Sequence, residues 1–396
     1  MLLARIPLLL WLGANLTMPA ARCAELDKSW EHFYNLEFDE AIQDFERIAA
    51  ANGDSPAALN HLAQANLYRA MMRAGALESE LVTGGNSFLR REKVNPTPQE
   101  QKQFDDCISR SMELSRKRIS ANSKDVDSTY LLGVAHGLRA NYNFLVRKAW
   151  VDALRDATEA RRLHNRVTEM DPSRIDPRLV QGMHDYVVGS LPWTYRWFGF
   201  LIGFHGNKKA GIETIKMVAE KGSRNRHDAQ IALAVIYRRE RRPADAVPLL
   251  TGLIQRFPRN YIFHLELVQM YSDLGRKEDA LAVLANVETL KREGAPGFRS
   301  LPYEKIYYFR GNLQFWYNDL DEAIENLARV TAKADSLDLN TGILAWMRLG
   351  QSYDLKGRRE HAVKAYRQAA ALAPGSAVAK ESEGYIGSPY KRPQKS

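Results

Sequence analysis

The sequence has only two cysteines, Cys23 and Cys107, among 396 residues. Two cysteines cannot build the disulfide framework on which many small secreted domains depend. Cys107 follows Phe104-Asp105-Asp106 and precedes Ile108, and we expect it to be a small core residue rather than a reactive thiol. The shortage of cysteine therefore indicates a protein that is stabilised by burial of apolar side chains.

The sequence also lacks the short motifs of common catalytic sites. It has no Walker loop, no G-x-G-x-x-G, no G-x-S-x-G and no H-E-x-x-H. Its nine histidines are scattered, and even the closest two, His164 and His184, are too far apart for a short-range metal-ligand pair. We therefore expect no enzyme activity, no metal and no cofactor. An enzyme assembled from distant residues that converge in space is the remote alternative.

Long hydrophobic runs are missing as well. The apolar run at residues 6–16 is too short for a membrane span, which needs about 20 residues. It follows Arg5 and precedes small residues at Ala20, Ala21 and Ala24, which is the order of a secretory signal. We therefore expect residues 1–24 to be a signal peptide, with cleavage between Ala21 and Glu25.

Export would place the protein in a bacterial cell envelope, in the periplasm or in association with the outer membrane. Lipidation of Cys23 is the alternative to simple cleavage, and Arg22 disfavours it because a small residue is expected there. The formal net charge of +9 favours anionic partners, as does the Arg-rich run at 238–242. Export argues against nucleic acid as that partner, and the run coincides with a predicted helix end, where cations are stabilising.

What the sequence does contain is an internal period. Four blocks of 34 residues align at 227–260, 261–294, 304–337 and 343–376. In each block apolar residues recur every three or four positions in two stretches, which predicts two helices and a short turn. Position 20 is always alanine, and position 8 is mostly small, so the two helices can approach closely. Arg241, Gly275, Asn318 and Gly357 occupy the turn, where a left-handed conformation is expected.

The last block resembles the tetratricopeptide repeat (TPR) at all eight signature positions, which are Trp346, Leu349, Gly350, Tyr353, Ala362, Tyr366, Ala369 and Pro374. The other three blocks match fewer positions in the same phase. The resemblance implies an all-α fold, a right-handed superhelical solenoid of antiparallel helix pairs. It also implies a non-catalytic scaffold that binds a protein or peptide.

The remaining segments are less regular. Residues 25–190 are expected to form divergent TPR-like hairpins, including a helix over 56–82, a helix over 99–120 capped by Thr97, and a hairpin over 129–170. Residues 191–226 form an aromatic-rich divergent repeat or a joint, and residues 377–396 the end of a helix and a basic tail. We find no strand-like alternation of useful length.

The segment at 191–204 has six aromatic residues and a single charge. Two interpretations remain open. The segment is either the first helix of a divergent repeat or an apolar surface that contacts a membrane interface, a lipid or a partner helix. The residues of this candidate contact are Trp193, Tyr195, Trp197, Phe198 and Phe200. On the second interpretation, the protein contacts a membrane surface.

The resemblance also implies a ligand groove, since the first helix of each TPR lines the concave face. The candidate groove residues at the corresponding positions are Arg238, Arg239, Tyr308, Asn312, Phe315, Trp316, Met347 and Gln351; the same positions include Lys305 and Asp354. Apolar anchors with side-chain amides between them suit a peptide, and the two arginines suit an acidic group. The alternative is that Phe315 and Trp316 pack inside the superhelix.

Overall fold

A computed structural model describes residues 20–51, 55–78, 94–190 and 206–392. Within these ranges the chain forms 17 α-helices and no β-strand, so the all-α prediction is confirmed. The first eight are α1 (Ala20–Tyr34), α2 (Phe38–Ala51), α3 (Pro56–Arg73), α4 (Pro98–Ala121), α5 (Val126–Tyr142), α6 (Trp150–Met170), α7 (Arg178–Gly189) and α8 (Lys208–Lys221). A π-helical turn, Asn143–Arg147, joins α5 to α6.

The other nine helices form the regular part of the array. They are α9 (Arg226–Arg239), α10 (Pro243–Arg256), α11 (Tyr261–Asp273), α12 (Lys277–Arg292), α13 (Tyr303–Trp316), α14 (Leu320–Thr331), α15 (Leu339–Leu355), α16 (Arg359–Leu372) and α17 (Ala377–Gly387). Each helix packs against the next one along the chain. The fold is thus a solenoid of antiparallel helix pairs, as the sequence predicted.

The alanines at position 20 lie at the contact between the two helices of a pair. Ala246, Ala280, Ala323 and Ala362 are all 0% exposed. Ala362 lies on α16, and Gly350 on the facing helix α15 lies against the ring of Tyr366. A Cβ atom added at Gly350 would lie 2.5 Å from Tyr366 Cε1. The small residues therefore set the distance between helices, and the predicted phase of the period is confirmed.

The turns between paired helices have the predicted left-handed residue. The φ angles are 58° at Arg241, 77° at Gly275, 70° at Asn318 and 71° at Gly357. The next residue's N–H then bonds to the carbonyl five positions before it, at 2.7–2.9 Å in the four turns. This hydrogen bond closes the helix end and turns the chain into the second helix.

The amino-terminal helices follow the predictions in part. Thr97 forms a capping box with Glu100: its hydroxyl accepts from the Glu100 N–H at 3.3 Å, and its own N–H donates to Glu100 Oε2 at 2.8 Å. The predicted helix over 56–82 is too long, because α3 ends at Arg73. Gly75 has a φ of 64°, and the Ala76 N–H bonds back to the Met71 carbonyl at 2.8 Å, which terminates the helix.

The amino-terminal repeat also contacts the regular repeats far along the chain. The Tyr34 hydroxyl donates to Asp228 Oδ1 at 3.1 Å, and Arg259 Nε donates to Glu37 Oε1 at 2.7 Å. At the end of α3, the Ala74 carbonyl accepts from the Asn340 side chain at 2.9 Å. The first three helices therefore lie against the starts of α9, α11 and α15.

Candidate peptide-binding site

Five of the six predicted groove residues on α13 and α15 are buried. Tyr308, Asn312, Phe315, Met347 and Gln351 are each at most 6% exposed. Trp316 is 47% exposed, which is unusual for so large an apolar ring. Trp316 is therefore the one residue of this set that presents a broad apolar surface to solvent.

Phe315 and Trp316, at the carboxyl end of α13, meet polar residues of α15. The Arg348 guanidinium lies 4.4 Å from the centre of the Phe315 ring and 4.8 Å from that of Trp316, in cation–π geometry. It is held there by Gln351, whose Oε1 accepts from Arg348 Nη1 at 2.7 Å. One turn further along α15 lies the buried carboxylate of Asp354. We call Phe315, Trp316, Arg348, Gln351 and Asp354 the Phe315 site.

The carboxylate of Asp354 is fixed by two neighbours on α16. Arg359 Nη1 donates to Oδ1 at 2.9 Å, and the Tyr366 hydroxyl donates to Oδ2 at 2.8 Å. Burial and the hydrogen bond to Asp354 raise the pKa of Tyr366 well above its ordinary value, so the hydroxyl keeps its proton. Asp354 is therefore a pre-oriented acceptor beside an aromatic surface, an arrangement that suits a peptide N–H.

The other groove residues on these helices pack inside the array. Tyr308 makes an edge-on contact with Phe309, with ring centres 5.6 Å apart, and Met347 belongs to the core cluster of Tyr366. The Asn312 side-chain oxygen is buried and has no hydrogen-bond partner within the described part of the chain. For Tyr308 and Met347, a role in binding stays a prediction, and their burial means that replacing them would also change stability.

The two arginines at the end of α9 already have partners. Arg238 Nε donates to Asp273 Oδ2 at 3.2 Å, its Nη2 donates to Gln269 at 2.9 Å, and Glu266 lies 3.8 Å from Nη1. Arg239 lies over the Tyr186 ring at 5.9 Å. An acidic ligand at Arg238 would meet two carboxylates, so the local charge does not favour the predicted acidic group.

A buried charged cluster lies at the start of α13. Lys305 forms ion pairs with Glu78 and with Asp338, the latter at 2.8 Å. Burial raises the pKa of Glu78 to about 7, whereas the two carboxylates raise the pKa of Lys305 against the effect of burial. Lys305, at a predicted groove position, therefore ties the end of the α3 segment to the regular repeats.

The structure also shows an apolar ridge that the sequence analysis missed. Trp150, Val151 and Leu154, on the first turns of α6, are 42%, 63% and 48% exposed. Lys148 lies 6.0 Å from the Trp150 ring. The only sequence signal was the aromatic–apolar pair Trp150-Val151 beside two basic residues.

Three further predictions concern Cys107, the aromatic segment and the signal peptide. Cys107 is 6% exposed and burial raises the pKa of its thiol to about 11, so the core assignment is confirmed. The candidate contact residues Trp193, Tyr195, Trp197, Phe198 and Phe200 lie outside the described residues, as do residues 1–19 of the predicted signal peptide.

Neither a metal cluster nor a membrane-spanning helix occurs in the described ranges. Those residues contain no group of three or more His, Cys, Asp or Glu side chains that could hold a metal ion. None of the helices there is both long enough and apolar enough to cross a membrane.

Three segments of the chain match family profiles described as tetratricopeptide repeat. The matches cover residues 26–70, 237–294 and 343–376. The last coincides with one of the four 34-residue blocks, and the first covers α2 and most of α1 and α3. No curated protein matches the sequence significantly.

Several solved structures resemble the chain at low identity. Yeast Tom70 is 11% identical, with 93% of this chain and 95% of that chain covered and a TM-score of 0.42. A tetratricopeptide repeat protein from Parabacteroides merdae is 15% identical, with 79% and 93% covered and a TM-score of 0.31. The anaphase-promoting complex assembly Cut9–Hcn1 is 14% identical, with 91% and 75% covered and a TM-score of 0.38.

The three matched segments lie within the array of helix pairs. The period, the buried alanines and the left-handed turns agree with those matches. The chain therefore contains tetratricopeptide repeats at residues 26–70, 237–294 and 343–376.

Proposed function

We propose that the protein is a non-catalytic scaffold that binds a protein partner through the Phe315 site. The observation that carries the proposal is Trp316, an indole ring 47% exposed beside the buried Phe315. Exposed aromatic rings with an arginine beside them are frequent anchors in protein interfaces. Both helices of the site are first helices of consecutive repeats, where TPR proteins generally bind their ligands.

Affinity capture with matched variants tests this function. We expect Trp316→Lys to abolish capture of the partner, because the substitution removes the exposed apolar ring. The new ammonium group would also lie next to the guanidinium of Arg348 and be repelled by it. Lys364→Ala, on an exposed position of α16, is the control and should capture the partner normally. Equal capture by the wild type and by Trp316→Lys, with equal melting midpoints, would contradict the proposal.

We propose the cell envelope as the site of action. The support is the order of Arg5, the apolar run and the small residues before Glu25. Amino-terminal sequencing of the native protein should find a start between Ala21 and Glu25, and intact Met1 on a cytosolic protein would contradict export.

Contact with a membrane surface is a second candidate function. It is supported by the ridge of Trp150, Val151 and Leu154, since aromatic and aliphatic side chains next to a lysine suit the interface of an anionic bilayer. Flotation with phosphatidylglycerol-containing liposomes tests it. Binding that is lost in Trp150→Ser/Val151→Ser would support this function, and wild-type protein that stays at the bottom of the gradient would exclude it.

A further inference from the structure

A short extended segment of the chain lies over the Phe315 site. Helix α17 ends at Gly387, and residues 388–392 run back to the ends of α13 and α15 without regular secondary structure. Within this segment Tyr390 is 8% exposed, whereas its neighbours Pro389 and Lys391 are exposed. A single buried side chain between exposed ones is the way in which short peptides are anchored in grooves.

Tyr390 uses both its ring and its backbone. Its ring centre lies 6.0 Å from that of Phe315 and 5.4 Å from that of Tyr385. Its backbone N–H donates to Asp354 Oδ2 at 2.7 Å. The site thus recognises an aromatic side chain by tilted and edge-on ring contacts. It holds the backbone of the same residue by a charge-assisted hydrogen bond, which is independent of sequence.

Arg392 adds a contact specific for its side chain. Its guanidinium lies 5.0 Å from the Phe315 ring centre, on a ring that Arg348 also contacts. It donates to the backbone carbonyls of Phe315 and Trp316, the latter at 3.1 Å. These carbonyls belong to the last turn of α13, where the helix dipole favours a cation.

We propose that the Phe315 site binds a partner segment in which an aromatic residue is followed two positions later by arginine, and that Tyr390-Lys391-Arg392 occupies this site as an internal competitor. The proposal rests on the proposed function and specifies the chemistry of its partner. Because the segment is held by one buried ring and few hydrogen bonds, a partner with the same pattern can displace it.

Binding of the segment in trans tests the proposal. The probe is a fluorescent peptide of residues 387–396, Gly-Ser-Pro-Tyr-Lys-Arg-Pro-Gln-Lys-Ser, measured by anisotropy. We expect full-length protein with Tyr390→Ala and Arg392→Ala to bind it at least ten-fold more tightly than the wild type, whose own segment competes. A peptide with alanine in place of its tyrosine should not bind, and a peptide with alanine in place of its arginine should bind more weakly.

Several results would overturn the proposal. The first is no binding by the double variant while its melting midpoint equals that of the wild type. Should the double variant be unstable, Arg392→Ala alone must still bind the peptide more tightly than the wild type. Lys391→Ala, at an exposed position of the same segment, must not bind the peptide more tightly than the wild type. A wild-type dimer that dissociates in Tyr390→Ala would assign the site to a second copy of the chain and also overturn the proposal.

The outcome separates this inference from the proposed function. Capture of a partner that depends on Trp316, combined with no peptide binding, would refute the aromatic–arginine pattern and leave the scaffold function intact. Peptide binding without any partner that depends on Trp316 would establish the chemistry of the site and refute the scaffold function.

Discussion

Replacing Gly350 with alanine tests whether the close contact between α15 and α16 depends on the absence of a side chain at position 350. A Cβ atom there would lie 2.5 Å from Cε1 and 2.7 Å from Cδ1 of Tyr366. The ring cannot swing away easily, because Tyr366 is 0% exposed and its hydroxyl is bonded to Asp354 at 2.8 Å. Overpacking of this kind costs about 1–3 kcal/mol of unfolding free energy.

Gly252 in α10 provides the matched control. A Cβ atom there would meet nothing within 4 Å, so Gly252→Ala should only improve helix propensity, by about 0.5–1 kcal/mol. The same gain applies to Gly350→Ala, and the difference between the two variants isolates the steric cost. We expect that difference to be about 1–3 kcal/mol. Gly311→Ala should lie between them, because its Cβ would meet Leu327 Cγ at 2.9 Å, a less severe overlap than the 2.5 Å at Gly350.

Urea unfolding followed by circular dichroism measures the difference. Repeat arrays can depart from two-state unfolding, so hydrogen exchange of α15 and α16 should accompany it and report where protection is lost. We expect faster exchange in these two helices for Gly350→Ala only. Equal unfolding midpoints for Gly350→Ala and Gly252→Ala would refute the contact between Gly350 and Tyr366 as described.

Two further predictions concern the core and the buried charges. Ala362→Leu should lower the unfolding free energy by about 1–3 kcal/mol because Ala362 is 0% exposed, whereas Lys364→Leu on the outer face of the same helix should have little effect; equal urea midpoints would contradict the assigned phase. For Glu78, whose pKa rises to about 7 from its ordinary 4.5, the folded state binds more protons than the unfolded state, so stability should fall between about pH 4.5 and 7 as pH rises. Glu78→Gln mimics the protonated carboxyl and should flatten that slope in melting curves, and an unchanged slope would refute the assignment.

The regular repeats could be predicted from sequence because their determinants are local. Alanine recurs at the position of Ala323, where it forms the contact between the two helices of a pair. A residue with positive φ recurs at the position of Gly357, where it forms the left-handed turn. The capping box at Thr97 is readable for the same reason, since both partners lie within four residues. The α3 end was missed, because Gly75 was read as part of a helix that continued beyond it.

The candidate site was less predictable, because its contacts join residues that no period relates. A repeat pattern defines the contacts between neighbouring repeats only. It therefore gives Phe315 and Trp316 as groove positions, but not the arrival of Tyr390 and Arg392 on them. The pairing of Lys305 with Glu78 likewise joins residues that are far apart along the chain.

Site-specific photo-crosslinking tests the binding role of the Phe315 site most directly. A photoreactive amino acid is placed at Trp316 and, as a control, at Lys364 on the exposed face of α16. We predict that the probe at position 316 crosslinks a partner protein in cells, more strongly when Tyr390 and Arg392 are replaced with alanine, and that the probe at position 364 does not. Crosslinks of equal yield at the two positions, or at position 364 only, would contradict the account.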